Sequence, residues 1–306
     1  MKKYNTIIIG GGPAGYTAAL YTARAGLSVI VLEMLSPGGQ MATTTEIDNY
    51  PGFDETVDGF ELAQKMKAGA ERFGAESEFA EVTEINLKSD IKTVRTTTGD
   101  YEADTVILAT GAAPRELGVE GESDLRGRGI SYCATCDGMM YRNKTVIVVG
   151  GGNSAAEDAL YLSKLCGKVY MVHRRDKLRA SVSYQRQLEK AANVEFIWNS
   201  EVTAFLHDKV IKGAEITNRI TGEKTEIECN GIFVAVGRIP NTNLIKGQIE
   251  LDNEGYIVSG EDTKTNLPGV FAAGDVRQKP LRQIVTAASD GAVASKFVEE
   301  YMGLLP

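Results

Sequence analysis

Two cysteines three positions apart, followed at once by a carboxylate, form the most reactive arrangement in this 306-residue chain: Ser131-Tyr132-Cys133-Ala134-Thr135-Cys136-Asp137-Gly138. A C-x-x-C spacing brings two sulfurs within disulfide reach, and Asp137 offers a carboxyl that can pass a proton to and from a departing thiolate. A zinc site built on the same pair would need two further ligands. The chain has only two histidines, His173 and His207, and no second close Cys or His pair. The pair therefore reads as a redox dithiol with no metal, while Cys166 and Cys229 read as small buried hydrophobes. So few histidines also remove most Ser/His and Cys/His nucleophilic arrangements.

Chemistry on a dithiol needs a source of electrons, and two glycine-rich loops point to one. An apolar strand pattern over 4–9 runs into Gly10-Gly11-Gly12-Pro13-Ala14-Gly15, a helical pattern follows over 16–25, and a second strand ends on Glu33. Such a turn lets the backbone approach a pyrophosphate at a helix N-terminus, and a carboxylate about 20 residues on suits a free ribose hydroxyl. The pattern recurs: a strand over 145–149 leads into Gly150-Gly151-Gly152-Asn153-Ser154-Ala155, then a helix and a strand over 169–172. Glu33 and His173 each lie 23 positions beyond the first glycine of their loop, and Arg174, Arg175 and Arg179 follow the histidine. A carboxylate there repels a 2′-phosphate, whereas guanidiniums bind one through paired charge-assisted hydrogen bonds, so the second loop is expected to bind NADPH.

These signals imply an α/β protein of two Rossmann-like, three-layer dinucleotide-binding domains, the second inserted into the first. Glycine and proline after the buried strands at 106–109 and 232–236, in Gly111-Ala112-Ala113-Pro114 and Gly237-Arg238-Ile239-Pro240, mark the two crossings. The boundaries are then 1–113 with 241–306 for the first domain and 114–240 for the inserted one, which carries the dithiol. After the second crossing a buried strand runs to Gly274-Asp275, with a helix from about Arg282 to Tyr301. In a flavin-binding version of this fold, Asp275 accepts from a ribityl hydroxyl. The helix start near Arg282 and Gln283 then faces the negative charge of a reduced flavin. The net charge of −8 disfavours nucleic acid and anionic membranes as partners. No apolar run reaches signal-peptide or membrane-span length, so a cytoplasmic location is expected.

Taken together, the first glycine loop, Cys133-Ala134-Thr135-Cys136-Asp137-Gly138, His173-Arg174-Arg175 with Arg179, and Gly274-Asp275 with Arg282-Gln283 resemble the bacterial-type, low-molecular-weight thioredoxin reductases over essentially the whole chain. The resemblance implies an NADPH-dependent FAD homodimer that reduces thioredoxin, with further FAD contacts near Gly39, Gln40 and Asn49. It also implies that Cys136 faces the flavin and Cys133 the partner. Met139-Met140 stand where that family often has two aromatics. Three other readings compete. The flavoprotein of alkyl hydroperoxide reductase would carry an added N-terminal dithiol domain, for which there is no room before Gly10. A ferredoxin- or oxygen-linked relative would not need the arginines, and a flavin redox sensor would not turn over.

Both the nicotinamide and the dithiol would have to reach one flavin to within about 3–3.5 Å, so a rotation about the crossings near Pro114 and Pro240 is expected to alternate them. The purified protein is expected to be yellow and to release its flavin on denaturation, because Glu33, the first loop and Asp275 describe a non-covalent site. Absorbance at visible wavelengths before and after denaturation checks this, and a folded, colourless preparation that takes up no FAD contradicts it.

Overall fold

The computed structural model describes residues 1–44 and 46–304. Thr45, Leu305 and Pro306, which the sequence reading includes in the first domain, lie outside them. The chain divides into two units: Met1–Ala113 together with the chain from Ile239 onward, and Pro114–Arg238 between them.

The first unit begins with β1 (Lys2–Ile9), α1 (Pro13–Arg24), β2 (Val29–Glu33), α2 (Gly59–Glu71) and β3 (Glu76–Phe79). It continues through β4 (Val82–Asn86), β5 (Lys92–Thr96) and β6 (Asp100–Leu108), and the chain leaves through β7 (Ala112–Pro114). Ile7, Ile8 and Ile9 are buried, on both faces of β1. An unbroken apolar run of this kind belongs to a parallel strand covered on both sides, and each buried isoleucine contributes roughly 1.5–3 kcal/mol. β1 pairs in parallel with β2 and β6, and β2 in turn with β3. The hairpin β4–β5 adds antiparallel to the first half of β6.

The second unit runs through β8 (Ile130–Ser131), the single-turn α3 (Ala134–Asp137), β9 (Thr145–Val149), α4 (Asn153–Ser163), β10 (Lys168–Val172) and α5 (Val182–Lys190). Then come β11 (Val194–Ile197), β12 (Ser200–His207), β13 (Ile211–Asn218), β14 (Lys224–Glu228) and β15 (Gly231–Val234). Its parallel sheet has the order β11-β10-β9-β15-β8, while β12, β13 and β14 form a separate antiparallel sheet.

The chain returns through β16 (Arg238–Pro240) to β17 (Val270–Ala272) and α6 (Ile284–Tyr301). β17 is only three residues long, and Asp275 lies beyond it in a 3-10 turn over Gly274–Val276 rather than at the strand end. β17 pairs in parallel with the second half of β6, Val270 opposite Val106 and Ala272 opposite Leu108. Small residues on α1 (Ala14, Ala18, Ala19) and α6 (Ala287, Ala294) let these helices pack in one core, and Thr22 Oγ1 donates to Ser295 Oγ at 3.1 Å inside it.

The parallel strands of the two sheets thus follow one order, β3-β2-β1-β6-β17 and β11-β10-β9-β15-β8. The last place is filled from opposite ends of the two units: β17 comes late in its unit and β8 comes first in its own. Among the described residues no helix is long and apolar enough to cross a membrane.

Burial holds the Asp158 carboxyl of α4 up at about 7, with Glu157 adding repulsion and Arg238 opposing the shift. Between the ordinary 3.8 and about 7, the folded protein keeps a proton that the unfolded chain has lost. Stability contributed at low pH is therefore lost as pH rises through that window, by up to roughly 1.4 kcal/mol per pH unit. Asp158→Asn is expected to raise Tm at pH 8 and leave it nearly unchanged at pH 4. Calorimetry at the two pH values checks this, and an unchanged Tm at pH 8 refutes it.

Candidate active site

In the first unit the loop Gly10–Gly15 joins β1 to α1. Gly12 is the N-cap of α1 with no side-chain cap and Pro13 opens the helix, which leaves backbone N–H groups for an external anion. Glu33 turns back onto this loop, its Oε2 accepting from the Gly11 N–H at 2.7 Å. The neighbouring turn joins in: the Gly38 N–H donates to the Gly11 carbonyl at 2.7 Å, which brings Gly38 and Gly39 alongside Gly12, with Gln40 next in the chain. Asn49 Nδ2 donates to Gln283 Oε1 at 3.1 Å, so two residues 234 positions apart meet before the N-terminus of α6.

Gly274 has φ +78°, and a Cβ there would lie 2.9 Å from the Ala14 methyl, so only glycine lets the β17 turn close on the first loop. That turn is braced by groups the sequence reading did not single out. Asp290, on α6, accepts from the Gly274 N–H at 2.9 Å, from Lys279 Nζ at 2.7 Å and from Arg277 at 2.8 Å. Arg282 does not point outward from the helix start. It donates to the carbonyls of Asp275 (3.4 Å) and Arg277 (3.2 Å), and its guanidinium lies 4.1 Å from the centre of the Tyr256 ring. The structure thus gathers Gly10, Gly12, Pro13, Ala14, Gly15, Glu33, Gly39, Gln40, Asn49, Gly274, Asp275, Arg282 and Gln283 within the first unit.

The second loop repeats the geometry with the charge inverted. Gly152 caps α4 without a side-chain cap, so the first N–H groups of an 11-residue helix are again open to an anion. His173 follows β10 as Glu33 ends β2, and its ring fills the space under Gly151, where a Cβ would sit 2.2 Å from His173 Cε1. The ring is 5% exposed and its Nε2 has no hydrogen-bond partner. Burial first, then Arg179 and Arg175, hold its pKa below the ordinary histidine value, which keeps the imidazole neutral at pH 7. The Arg179 N–H donates to the Gly151 carbonyl at 2.7 Å, and Asn153 Oδ1 accepts from the Ser181 N–H at 2.8 Å, which wraps 174–181 around the loop. Arg174, Arg175 and Arg179 are exposed, and among the described residues none forms an ion pair. Unpaired guanidiniums, open helix N–H groups including those of Ser154, and an orphaned buried imidazole nitrogen fit a phosphorylated dinucleotide.

Cys133 and Cys136 are joined as a disulfide with Cα atoms 5.3 Å apart. Cys133 is the N-cap of α3, its carbonyl accepting from the N–H groups of Cys136 (3.3 Å) and Asp137 (3.1 Å). Ser131, the last residue of β8, donates to Asp137 Oδ2 at 2.6 Å, and its Oγ accepts from the Cys133 N–H at 3.1 Å. Tyr132 reaches the other way, its hydroxyl donating to the buried Glu122 at 2.8 Å. Met139 and Met140 are 48% and 41% exposed just beyond the pair. Cys166 and Cys229 are free and buried, with burial raising their thiols to about 11 and about 12. They stay protonated and unreactive.

A sequence profile of the family described as "Pyridine nucleotide-disulphide oxidoreductase" matches residues 4–291. The thioredoxin reductase of Listeria monocytogenes is 48% identical over 302 residues, covering 98% of this chain and 94% of that protein. The thioredoxin reductase of Bacillus subtilis is 44% identical over 303 residues, covering 98% and 95%. The crystal structure of thioredoxin reductase from Streptococcus pyogenes superposes with a TM-score of 0.92 at 46% identity, covering 99% of each chain. With two dinucleotide-binding sheets and a disulfide of its own at Cys133 and Cys136, the chain belongs to the pyridine nucleotide-disulphide oxidoreductases and, among them, to the low-molecular-weight thioredoxin reductases.

Proposed function

We propose that this protein uses NADPH, held by the second unit, and FAD, held by the first, to reduce the Cys133–Cys136 disulfide and through it the disulfide of thioredoxin. The observation that carries this reading is the disulfide on α3, with Asp137 in its own turn and Ser131 bonded to that acid. Bound FAD would supply the two-electron chemistry that links a nicotinamide to a disulfide. The first unit's part is to seat it: the open N-terminus of α1 takes the pyrophosphate, Glu33 the adenosine ribose, and Asp275 with the Asn49–Gln283 pair the flavin end. The second unit selects the nicotinamide. Arg174, Arg175 and Arg179 take the 2′-phosphate, which speaks against a ferredoxin-linked role. Gly150, Gly152, Asn153 and Ser154 take the pyrophosphate.

Toward the acceptor, Cys133 attacks and Cys136 resolves, with Asp137 taking the thiol proton and returning it. The half-exposed Met139 and Met140 offer a protein partner apolar surface that can re-pack around it. Free Cys166 and Cys229 suit a reducing compartment, which supports a cytoplasmic location. A homodimer is the assembly expected from the family resemblance.

Two experiments test the reading. Replacing Arg174, Arg175 and Arg179 with glutamine is expected to raise KM for NADPH by about ten- to hundredfold per lost phosphate contact and to leave KM for NADH nearly unchanged. Equal weakening of both nucleotides would make the cluster structural. Cys133→Ser and Cys136→Ser are each expected to keep flavin reduction by NADPH, followed by anaerobic stopped-flow bleaching, and to abolish thioredoxin reduction. Loss of bleaching in folded protein would contradict the division of labour.

A further inference from the structure

The mechanism above leaves one buried polar group beside the disulfide without a task. Ser131 closes the two-residue strand β8 and is only 4% exposed. A serine hydroxyl has one proton and two lone pairs. Here the proton faces Asp137 Oδ2 at 2.6 Å, while the backbone N–H of Cys133 donates into the same oxygen at 3.1 Å. The Cys133 carbonyl, 3.3 Å away, is the competing acceptor. The shorter contact to a carboxylate has the length of a charge-assisted O–H···O⁻ bond and takes the proton. The result is a chain from Cys133 N–H through Ser131 Oγ to Asp137 Oδ2, in which each bond polarises the next.

From this chain we infer that Ser131 is a positioning residue for the proton step of dithiol exchange, registering the carboxyl of Asp137 against the cysteine that it serves. The inference rests on the reading of Asp137 as the group that takes and returns the thiol proton. β8 is held rigidly because it pairs with β15, Ile130 opposite Ile232 and Ser131 opposite Phe233, whereas α3 is one turn long and carries no side-chain cap. A hydroxyl fixed to the sheet therefore gives the acid a reference that the short helix cannot. A carboxylate must be ionised to accept the thiol proton, and the Ser131 hydroxyl donates to an oxygen of that form.

The Cys133 thiol gives its proton to Asp137, and the thiolate attacks one sulfur of the thioredoxin disulfide. That S–S bond breaks, and its electron pair leaves on the other sulfur, which receives the proton from Asp137. Cys136 then attacks the Cys133 sulfur: the Cys133–Cys136 bond forms, the bond from Cys133 to thioredoxin breaks, and the Cys136 proton passes to the second thioredoxin sulfur as it leaves. The enzyme dithiol has lost two electrons and two protons, and thioredoxin has gained them.

The test follows reoxidation of the NADPH-reduced, FAD-loaded enzyme by oxidised thioredoxin in single turnovers across pH. Ser131→Ala is expected to slow exchange by roughly tenfold and to move the acid limb of the rate profile to higher pH, while bleaching of the flavin by NADPH keeps its wild-type rate. Ser131→Thr should restore the profile and the isosteric Ser131→Val should not, which isolates the hydroxyl even if the alanine variant folds poorly. The double variant with Asp137→Asn should be no slower than Asp137→Asn alone. An unshifted profile in the valine or alanine variant, or losses that multiply in the double variant, would overturn the role of Ser131 and leave Asp137 in place. Wild-type exchange in Asp137→Asn at every pH would overturn the role of Asp137 and this inference with it.

Discussion

A strand covered on both faces can show the solvent only its ends. β1 and β9 are strands of that kind, with Ile7, Ile8, Val146, Ile147 and Val148 fully buried, so neither offers a reactive side chain along its length. The candidate site residues lie where a parallel strand runs out at its carboxyl end: the loops after β1 and β9, Glu33 at the end of β2, His173 just after β10, Asp275 beyond β17, and the dithiol beyond β8. Parallel pairing puts these ends on one edge of each sheet. The helix N-termini that follow are open there, so fixed positive potential and side-chain chemistry share that edge.

Within this common frame, the two units differ in charge at one matching position. Glu33 fills its place with a carboxylate held to the Gly11 N–H. His173 fills the same place with a neutral ring under Gly151 and leaves the polar work to three exposed arginines. The exchange alters charge and hydrogen bonding while both side chains turn toward the middle glycine of their loop. The shared strand order has a second consequence. Since β8 in the inserted unit sits where β17 sits in the other, the Cys133–Cys136 turn occupies the edge position that holds Gly274 and Asp275 in the first unit.

The two edge turns are braced differently, and the difference follows from what each carries. Gly274 is held by a buried ionic cluster in which Asp290 answers Arg277 and Lys279, an arrangement expensive to break because removing Asp290 would leave two cations buried and unpaired. The dithiol turn is held by neutral and singly charged hydrogen bonds through Ser131 and Tyr132. A lighter mount suits sulfurs that must form and break bonds.

The residues themselves determined whatever depends on short stretches of backbone. Glycine spacing dictates a turn that can approach a phosphate, C-x-x-C spacing dictates disulfide reach, and the place of an acid or a basic cluster at a strand end follows from counting along one β-α-β unit. The turn after β1, the place of Glu33 at the end of β2 and the Cys133–Cys136 disulfide were legible for that reason, as was the α/β class. Tertiary structure alone decided the rest, because it depends on pairings between distant segments. Nothing local says that β8 lies beyond β15, that β12, β13 and β14 leave the main sheet, or that the acid of β17's turn sits past the strand rather than on it. Asp290 reads in sequence as an ordinary helix carboxylate. Ser131 reads in sequence as no more than a residue of the stretch before Cys133, and its hydroxyl finds Asp137 only because β8 is pinned in register against β15, which fixes where the following turn can fold.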